Sequence, residues 1–441
     1  MMRFVSEIKK SLVSRYVFYK LSRQWQKLSR QQLVADNSAE RRLVVIPCDP
    51  ETVGGSRGDE AMIMGVMQLF RKQYPNIPIS VVCVDDFGEQ YVKTALNAFG
   101  ATVIKSWNGA YPLERIYTSV IACHPSDVVI LGADCMDGFY SPTLSLMLLA
   151  LHDLFSKTVG VNSRLLGFSF NTKPDKRIIR SFKSLTSDVV IRLRDAVSYQ
   201  RYNTMVDKPA KLVADAAFLL QPDVSCSLFH RIDKWAKEQH EEGQTVIGLN
   251  FHPMLRHYAG LEDIESDALN VAKHVERILQ QHPKVSFVFI PHDDRSRLTD
   301  NVMLSVMYDY LQARSEKNAG IPNRVSYFPE VPRASHLKAI CGLLDGLVTS
   351  RMHLAIAAFG MEVPVMAATY QGKFEGLFQH FGINGEFLLS PQEFLSDVVE
   401  DKFSYFLTQI PILKAQISAT LPKVLSLSYQ NLIKEVGVEI A

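Results

Sequence analysis

The sequence of 441 residues has little cysteine and no excess of charge of either sign. Its six cysteines are scattered, and none forms a Cys-x-x-Cys pair. Neither a disulfide framework nor a zinc site of ordinary spacing is therefore predicted, which favours a reducing compartment. Lysine and arginine total 48 against 46 acidic residues, a net charge of +2. This balance does not call for nucleic acid as a partner.

The sequence also lacks any run of about 18 consecutive apolar residues, the length that a membrane-spanning helix needs. Its basic N-terminus is not followed by an apolar core or a small-residue cleavage site, so no signal peptide is predicted. We therefore expect a cytoplasmic protein. Peripheral contact at the inner face of a membrane, through the N-terminal segment, is compatible with these features.

The N-terminal segment, residues 1–40, interleaves basic and apolar side chains at helical spacing. This pattern is typical of one or two basic amphipathic helices. Such a helix can lie on anionic lipid headgroups. It can equally pack on the body of the protein or on a partner, and we favour packing because amphipathic helices are common.

Beyond residue 40 the sequence alternates apolar, strand-like runs with helical stretches, which predicts an α/β fold with mainly parallel sheets. The length favours two domains. We place an N-terminal domain at 41–208, a C-terminal domain at 209–390, and helices that pack back across the domains at 391–441. The strands are predicted at 43–47, 79–84, 101–104, 127–131, 164–168, 188–193, 245–249, 285–291, 325–328, 345–348 and 364–368. Residues 211–218 are predicted to cross between the halves.

The central motif of the second half is Ser350-Arg351-Met352-His353, between a predicted strand and a short helix. Ser350 is predicted to cap that helix, with Arg351 and His353 on its first turn. A helix N-terminus favours anions, so a guanidinium and an imidazole there predict an anion site. Lys373 follows the next strand, at the same edge of a parallel sheet. The plainer interpretation is that Arg351 and His353 only complete a buried helix end.

Other strand ends also carry polar residues. The first strand leads into Gly54–Glu60, a glycine loop whose spacing is neither Walker A nor the dinucleotide fingerprint. The carboxylates of Asp134 and Asp137, without a third ligand, are weak evidence for a metal, so no metal site is predicted. Turn and helix-cap chemistry explains these two residues equally well. The candidate residues at these and later strand ends are Asp134, Asp137, Asn171, Arg194, His252 and His292.

Taken together, these motifs resemble the polysaccharide pyruvyl transferase family over about residues 42–385. The features that carry the resemblance are Gly58-Asp59-Glu60-Ala61, Gly132–Ser141, Arg194-Asp195 with Ser198, Val213-Ala214-Asp215, Ser350–His353 and the strand that leads to Lys373. The resemblance implies two Rossmann-like domains facing a cleft, similar to the GT-B architecture. It also implies transfer of pyruvyl from phosphoenolpyruvate, as co-substrate and without a cofactor, to a sugar of a cell-surface polysaccharide or its lipid-linked precursor.

Within this resemblance we assign three groups of residues. The catalytic candidates are His353, as general acid, with Asp134 and Asp137 for the acceptor hydroxyl. The donor-binding candidates are Arg194, Ser350, Arg351, Met352 and Lys373, because phosphoenolpyruvate carries two anions. The acceptor-binding candidates are Ser56, Arg57, Asp59 and Asn171, and His252 and His292 support the site from neighbouring strand ends.

Two departures and two alternatives accompany this assignment. Ser56 stands where many members have asparagine, and Ala133 where many have a second glycine, so the identity of the acceptor stays open. The first alternative function is a GT-B glycosyltransferase that uses a nucleotide sugar. The second is a non-catalytic binding protein in surface-polysaccharide assembly, because fold alone is a poor guide to function.

Overall fold

The computed structural model divides the chain into two compact units. It describes residues 2–31, 34–35, 40–51, 53–54, 56–85, 99–109, 111–187, 189–253, 255, 263–293, 299–315, 321–369 and 372–433. The first unit comprises 1–54, 62–219 and 427–441, and the second comprises 55–61 and 220–426. We had placed the boundary at 208/209, whereas the units divide between Leu219 and Leu220.

The first unit is built on a parallel sheet in the order β3-β2-β1-β4-β5. Its central strands are fully buried because both faces are covered, which explains their continuous apolar sequences. Two further parallel strands, β6 and β7, form a separate pair. The strands are β1 (Leu43–Ile46), β2 (Ile79–Cys83), β3 (Thr102–Lys105), β4 (Asp127–Ile130), β5 (Asn162–Leu165), β6 (Ile191–Leu193) and β7 (Ala210–Leu212).

The helices of the first unit connect these strands in the right order for a doubly wound fold. Ser141 caps the helix that follows β4, and Asp195 caps the helix that follows β6, each by accepting a hydrogen bond from a backbone N–H. The helices are Met2–Leu28, Arg57–Gln73, Leu113–Ile121, Pro142–Lys157, Lys176–Lys183 and Ala196–Met205.

A buried ion pair fixes the start of β4. The carboxylate of Asp127 is fully buried and accepts from Arg41 Nε at 2.9 Å and from Arg164 Nη1 at 2.7 Å. Burial alone would raise the pKa of Asp127, but the hydrogen bonds and charges of the two arginines outweigh it and lower the pKa below its ordinary value. The pair therefore stabilises the fold above the ordinary aspartate pKa, and this contribution is lost as the pH falls through the lowered pKa.

We accordingly expect Asp127→Asn to lower the free energy of unfolding by about 3 kcal/mol at pH 7, since it breaks a buried pair. The difference from the unsubstituted protein should shrink as the pH falls toward the lowered pKa of Asp127, where the carboxylate takes up a proton. Urea denaturation at pH 7 and pH 3 measures both effects. Asp233→Asn, which removes one partner of the exposed Lys237 pair, is the control. An equal loss of stability in both variants would contradict the account.

The second unit holds a six-stranded parallel sheet in the order β10-β9-β8-β11-β12-β13. Numbered within the unit this is 3-2-1-4-5-6, the Rossmann strand order, whose direction of winding reverses between β8 and β11. The strands are β8 (Thr245–Asn250), β9 (Val285–Phe289), β10 (Val325–Tyr327), β11 (Gly346–Thr349), β12 (Val365–Ala368) and β13 (Leu388–Leu389).

The helices of the second unit flank this sheet, and the last of them ends beyond the unit boundary. Residues after that helix belong to the first unit, where Asn431 accepts from Gly167 N at 2.7 Å and donates to Ala214 O at 2.8 Å. The helices are Ser227–Glu241, Ile264–Gln281, Asn301–Ser315, Ala334–Cys341, Met352–Phe359, Phe374–His380, Pro391–Phe394 and Val398–Tyr429.

The N-terminal segment forms one helix, Met2–Leu28, that packs on the first unit. Leu21, Trp25 and Leu28 are buried, and Trp25 Nε1 donates to Asp153 at 2.9 Å. Packing on the body, the interpretation favoured from the sequence, therefore holds for this face. Among the helices in the described part of the chain, none has the length and apolar character needed to cross a bilayer.

The α/β class and the two Rossmann-like units predicted from the sequence are confirmed, and the eleven predicted strands all correspond to observed ones. The first residue of the predicted strand 188–193, Asp188, lies outside the described residues. Two strands were not predicted. β7 overlaps the stretch assigned to the crossover, and β13 has only two residues, too few for a recognisable pattern.

Candidate active site

The predicted donor residues Ser350, Arg351, Met352 and Lys373 lie in the second unit, where four neighbouring parallel strands end. β9, β8, β11 and β12 are neighbours, and their carboxyl ends share one edge of the sheet. Asn250 ends β8, His292 follows β9, Arg351 follows β11, and Lys373 follows β12. The motif thus occupies the position where the winding reverses, which is where open α/β sheets bind ligands.

Arg351 is held by two buried carboxylates. Its Nε donates to Asp300 Oδ1 at 3.0 Å, and its Nη2 lies 2.5 Å from the same oxygen. Its Nη1 donates to Asp293 Oδ2 at 3.1 Å. Arg351 is 8% exposed, and both aspartates are almost fully buried. The guanidinium therefore joins the loops after β9 and β11, and its charge is compensated within the protein.

The second oxygen of Asp300 extends this network to two more strand ends. Asp300 Oδ2 accepts from Asn250 Nδ2 at 2.8 Å and from His292 N at 2.9 Å. Burial raises the pKa of Asp300, although the charge and hydrogen bonds of Arg351 oppose the rise. Every neighbour of this carboxylate is a donor, so the ionised form fits its surroundings. Asp300 fixes three strand ends at once.

The predicted helix cap at Ser350 is wrong. The helix begins at Met352, its N-cap residue is Arg351, and no side chain caps it. Ser350 Oγ instead accepts from His252 N at 2.7 Å, while Thr349 Oγ1 accepts from Arg351 N at 3.0 Å. The serine is used between strands because β8 and β11 are adjacent, a tertiary contact that local sequence does not reveal. Donor binding by Ser350 stays a prediction.

His353 lies on the first turn of the helix, half-buried, against the start of another helix. A Cβ added to Gly58 would lie 2.2 Å from His353 Nδ1, so only glycine permits this approach. Ser56 pairs with Asp293 in a β-bridge, and Arg57 donates to Pro332 O at 2.7 Å. Ser56, Arg57 and Asp59, predicted for the N-terminal domain, therefore lie in the second unit beside the candidate acid.

His292 is a buried imidazole next to this group. It is 5% exposed, and its Nδ1 has no hydrogen-bond partner among the residues that the structure describes. Burial lowers its pKa well below the ordinary value, and the positive charge of Arg351 adds to the shift. His292 is therefore neutral at neutral pH. Its unsatisfied nitrogen is a polar contact that a bound ligand could complete.

Gly58→Ala should disturb His353 directly. The added methyl group forces either the imidazole or the helix start to move, so we expect a loss of about 1–3 kcal/mol of stability. We also expect at least a tenfold lower turnover, because the candidate general acid is displaced. Gly385→Ala is the matched control, since nothing lies within 4 Å of a Cβ at that position. Full activity of Gly58→Ala would contradict the placement of His353 in the site.

The residues predicted for the acceptor hydroxyl lie in the first unit after β4. Asp137 is fully buried; its Oδ1 accepts from Phe139 N at 2.9 Å, and its Oδ2 accepts from the N and Nδ2 of Asn171, each at 2.7 Å. Burial raises the pKa of Asp137 against these hydrogen bonds. Asp134 is half-buried and more accessible. Asp137 and Asn171 are thus joined by hydrogen bonds that stabilise the loop. Asp134 is better placed to contact a ligand.

Arg194 is buried in the first unit, 4% exposed, and its charge is paired. Its Nη1 lies 3.0 Å from Asp215 Oδ2, and its Nε donates to Ser169 Oγ at 2.8 Å. Asp215 of the Val213-Ala214-Asp215 motif is therefore the ion-pair partner of Arg194. Donor binding by Arg194 stays a prediction.

Two features of the site were missed from the sequence. The first is that Asp293 and Asp300 hold Arg351; Asp300 directly precedes the helix Asn301–Ser315 and resembles an ordinary cap residue. Phe139 and Tyr140 are each 51% exposed, with ring centroids 5.2 Å apart, beside the acceptor candidates. In the sequence, the available signal was the pair of adjacent aromatic residues in the stretch that follows a predicted strand.

A group of metal-ligating side chains lies elsewhere in the second unit. His274, Asp397 and Glu400 bring their ligand atoms within 4.8 Å of one another. The guanidinium of Arg277 already bridges them, with its Nε 2.6 Å from Glu400 and its Nη2 3.0 Å from Asp397. We interpret this group as an ion-pair network rather than a metal site.

Comparison with known proteins places this geometry in a family. No curated protein matches the chain. Among solved structures, it resembles the S. aureus MnaA–UDP structure with a TM-score of 0.52 and 12% identity, covering 91% of this chain and 100% of the other. It also resembles a UGT transferase from Siraitia grosvenorii in complex with UDP, with a TM-score of 0.51 and 12% identity over 89% and 98% of the two chains. These likenesses show a GT-B-like fold. The sequence model of the polysaccharide pyruvyl transferase family matches residues 57–372, and the chain therefore belongs to that family.

Proposed function

We propose that this protein transfers a pyruvyl group from phosphoenolpyruvate to a sugar of a cell-surface polysaccharide or its lipid-linked precursor, forming a pyruvate ketal. The observation that carries the proposal is the arrangement of His353 within the part of the chain that matches the family. Its ring lies against Gly58. His292 and Arg351 are fixed by hydrogen bonds at the ends of β9 and β11 in the same sheet.

The proposed reaction joins two sugar hydroxyls to the central carbon of the donor. A proton adds to the methylene carbon, which becomes a methyl group, and the first hydroxyl oxygen bonds to the neighbouring carbon. The second hydroxyl oxygen then replaces phosphate at that carbon. One hydroxyl proton balances the proton taken up by the methylene group, and the other leaves with phosphate. No oxidant, reductant or cofactor is needed.

His353 is the proposed general acid for the methylene carbon. Histidine ordinarily titrates near neutrality, which suits a group that must both hold and give up a proton. Its ring position is set by the close contact with Gly58 rather than by a long flexible side chain. A fixed orientation at the strand ends supports proton transfer to one carbon.

The donor anions are proposed to meet Lys373, Arg194 and the Ser350-Arg351-Met352 segment. Arg351 is oriented by Asp293 and Asp300, so any contact with the donor is made by a guanidinium that does not need to reorganise. Its charge is compensated in the protein, so we propose that it shares donor attraction with Lys373, which follows β12. Phosphate departure can then be stabilised by fixed cations, without a metal.

The acceptor sugar is proposed to meet Asp134, Asp137 and Asn171, with Ser56, Arg57 and Asp59 as further contacts. Asp134 is the better base, because both oxygens of Asp137 already accept backbone or amide hydrogen bonds. The exposed rings of Phe139 and Tyr140 would pack on the apolar C–H face of the sugar. We also propose a cytoplasmic location, since the six free cysteines suit a reducing compartment.

The proposal is tested by incubating the intact protein with phosphoenolpyruvate and candidate saccharides or lipid-linked saccharides. We expect release of inorganic phosphate together with a ketal on the acceptor, detected by mass spectrometry. Consumption of a nucleotide sugar, with no response to phosphoenolpyruvate, would instead support a glycosyltransferase. Turnover of neither donor across the acceptors would support the non-catalytic alternative.

A further inference from the structure

A cleft of about 300 Å³ lies among helices of the first unit. Three helices line it: Met2–Leu28, Pro142–Lys157 and Lys176–Lys183. Its basic side chains are Lys157, Arg177 and Arg180. Lys157 pairs with Asp153 and Arg177 with Asp175, each at 2.8 Å, while Arg180 is exposed. Cations around a small concave space are groups that bind a phosphate.

The carboxylate in this cleft is already engaged by the protein. Asp153 accepts from Trp25 Nε1 at 2.9 Å, from Lys157 Nζ at 2.8 Å and from Thr186 N at 3.0 Å. It is 1% exposed, so it anchors the N-terminal helix rather than presenting charge to solvent. Arg177 lies over the ring of Phe18, with 4.7 Å between its guanidinium carbon and the ring centroid. The helix and its basic neighbour are thereby fixed together.

The two helices on either side of the cleft are mainly basic, with Glu7 near the start of one and Asp175 as the cap of the other. Residues 8–35 contain seven lysines and arginines and no acidic residue, and residues 176–187 contain four and none. The whole chain is almost neutral at +2, so this charge is concentrated on one part of the first unit. A local basic surface of this size attracts anionic lipid headgroups.

The outer face of the N-terminal helix adds exposed aromatic and apolar side chains. Tyr16 is 67% exposed, Tyr19 is 61% exposed and Val13 is 55% exposed. The basic residues Lys20 and Arg23 are exposed beside them. Tyrosine with flanking lysine and arginine is typical of the interface between water and lipid, where the ring is half immersed and the cations meet phosphates.

We propose that this surface docks on an anionic phospholipid bilayer, with the cleft taking a headgroup phosphate. The concentrated charge favours a lipid surface over a second copy of the chain, since two copies of this face would repel each other. The docking does not depend on the proposed chemistry, because these residues lie outside the candidate active site. It would hold the enzyme where lipid-linked acceptors are found.

Sedimentation with vesicles tests the proposal on the intact protein. We expect binding to phosphatidylcholine vesicles that contain phosphatidylglycerol, and no binding to phosphatidylcholine alone. Arg180→Glu with Lys183→Glu should weaken the partitioning at least tenfold, because two exposed charges near the membrane are reversed. Tyr16→Ser with Tyr19→Ser should weaken it without changing the net charge.

Lys234→Glu with Lys237→Glu is the matched control, since these lysines are exposed on a helix of the second unit. It should leave vesicle binding within about twofold, because neither lysine belongs to the proposed docking surface. Equal losses in both double variants, or no binding to anionic vesicles, would overturn the proposal. Binding of inorganic phosphate in the cleft, without vesicle binding, would also overturn it and identify a soluble phosphate site. None of these readouts requires turnover of phosphoenolpyruvate.

Discussion

Replacing His353 by alanine should lower pyruvyl transfer by about 100- to 10,000-fold, the range expected for loss of a general acid. Donor affinity should change much less, because the fixed cations and backbone groups at the strand ends remain. The measurement is a comparison of single-turnover rate and dissociation constant for phosphoenolpyruvate in the two proteins. A change confined to the rate identifies an interaction made in the transition state.

The matched control is His230→Ala, an exposed histidine on a helix of the same unit. It should leave both quantities within about twofold, because surface substitutions rarely matter. If His353→Ala lost donor binding and kept its turnover at saturation, the acid role would be wrong. His353 would then be a phosphate-binding residue.

Replacing Arg351 by alanine should lower the free energy of unfolding by about 3–5 kcal/mol, because two buried carboxylates lose their partner. Asp293 and Asp300 are 1% and 0% exposed, so water cannot easily replace the guanidinium. Arg351→Lys should cost less, since it keeps a charge but cannot make the same set of hydrogen bonds. Urea denaturation measures all three proteins.

Arg231→Ala provides the comparison, since Arg231 pairs with Glu330 where both side chains are 50% exposed. That substitution should cost no more than about 1 kcal/mol. Equal losses for the two arginines would show that the network around Arg351 is not a structural one. Loss of donor binding in Arg351→Ala is expected on either account, so it does not by itself assign the arginine to the donor.

The fold was largely predictable from the sequence because its signals are local. Continuous apolar runs such as Leu43–Ile46 mark strands covered on both faces, and their alternation with helices selects a parallel sheet. The polar residues that follow the strands were then expected at one edge. His292, Arg351 and Lys373 do follow three parallel strands of one sheet, β9, β11 and β12.

The contacts that the site residues make with one another were not predictable, because they are tertiary contacts between residues far apart in the sequence. Ser350 has the sequence context of a helix cap, yet its hydroxyl is taken by His252 N across adjacent strands. Arg351 looks like an available cation until Asp300, 51 residues away in sequence, is placed beside it. Gly58 looks like part of a ligand loop, and only the structure shows that it makes room for His353.

The central claim is that phosphoenolpyruvate is the donor, and calorimetric titration of the intact protein with phosphoenolpyruvate and with UDP tests it most directly. A parallel titration with saturating saccharide acceptor present tests the case in which the donor site is complete only when acceptor is bound. The account predicts heat of binding for phosphoenolpyruvate that is lost in Lys373→Ala, and none for UDP. Binding of UDP, with no heat from phosphoenolpyruvate even beside acceptor, would contradict it and identify a nucleotide-sugar enzyme on the same fold.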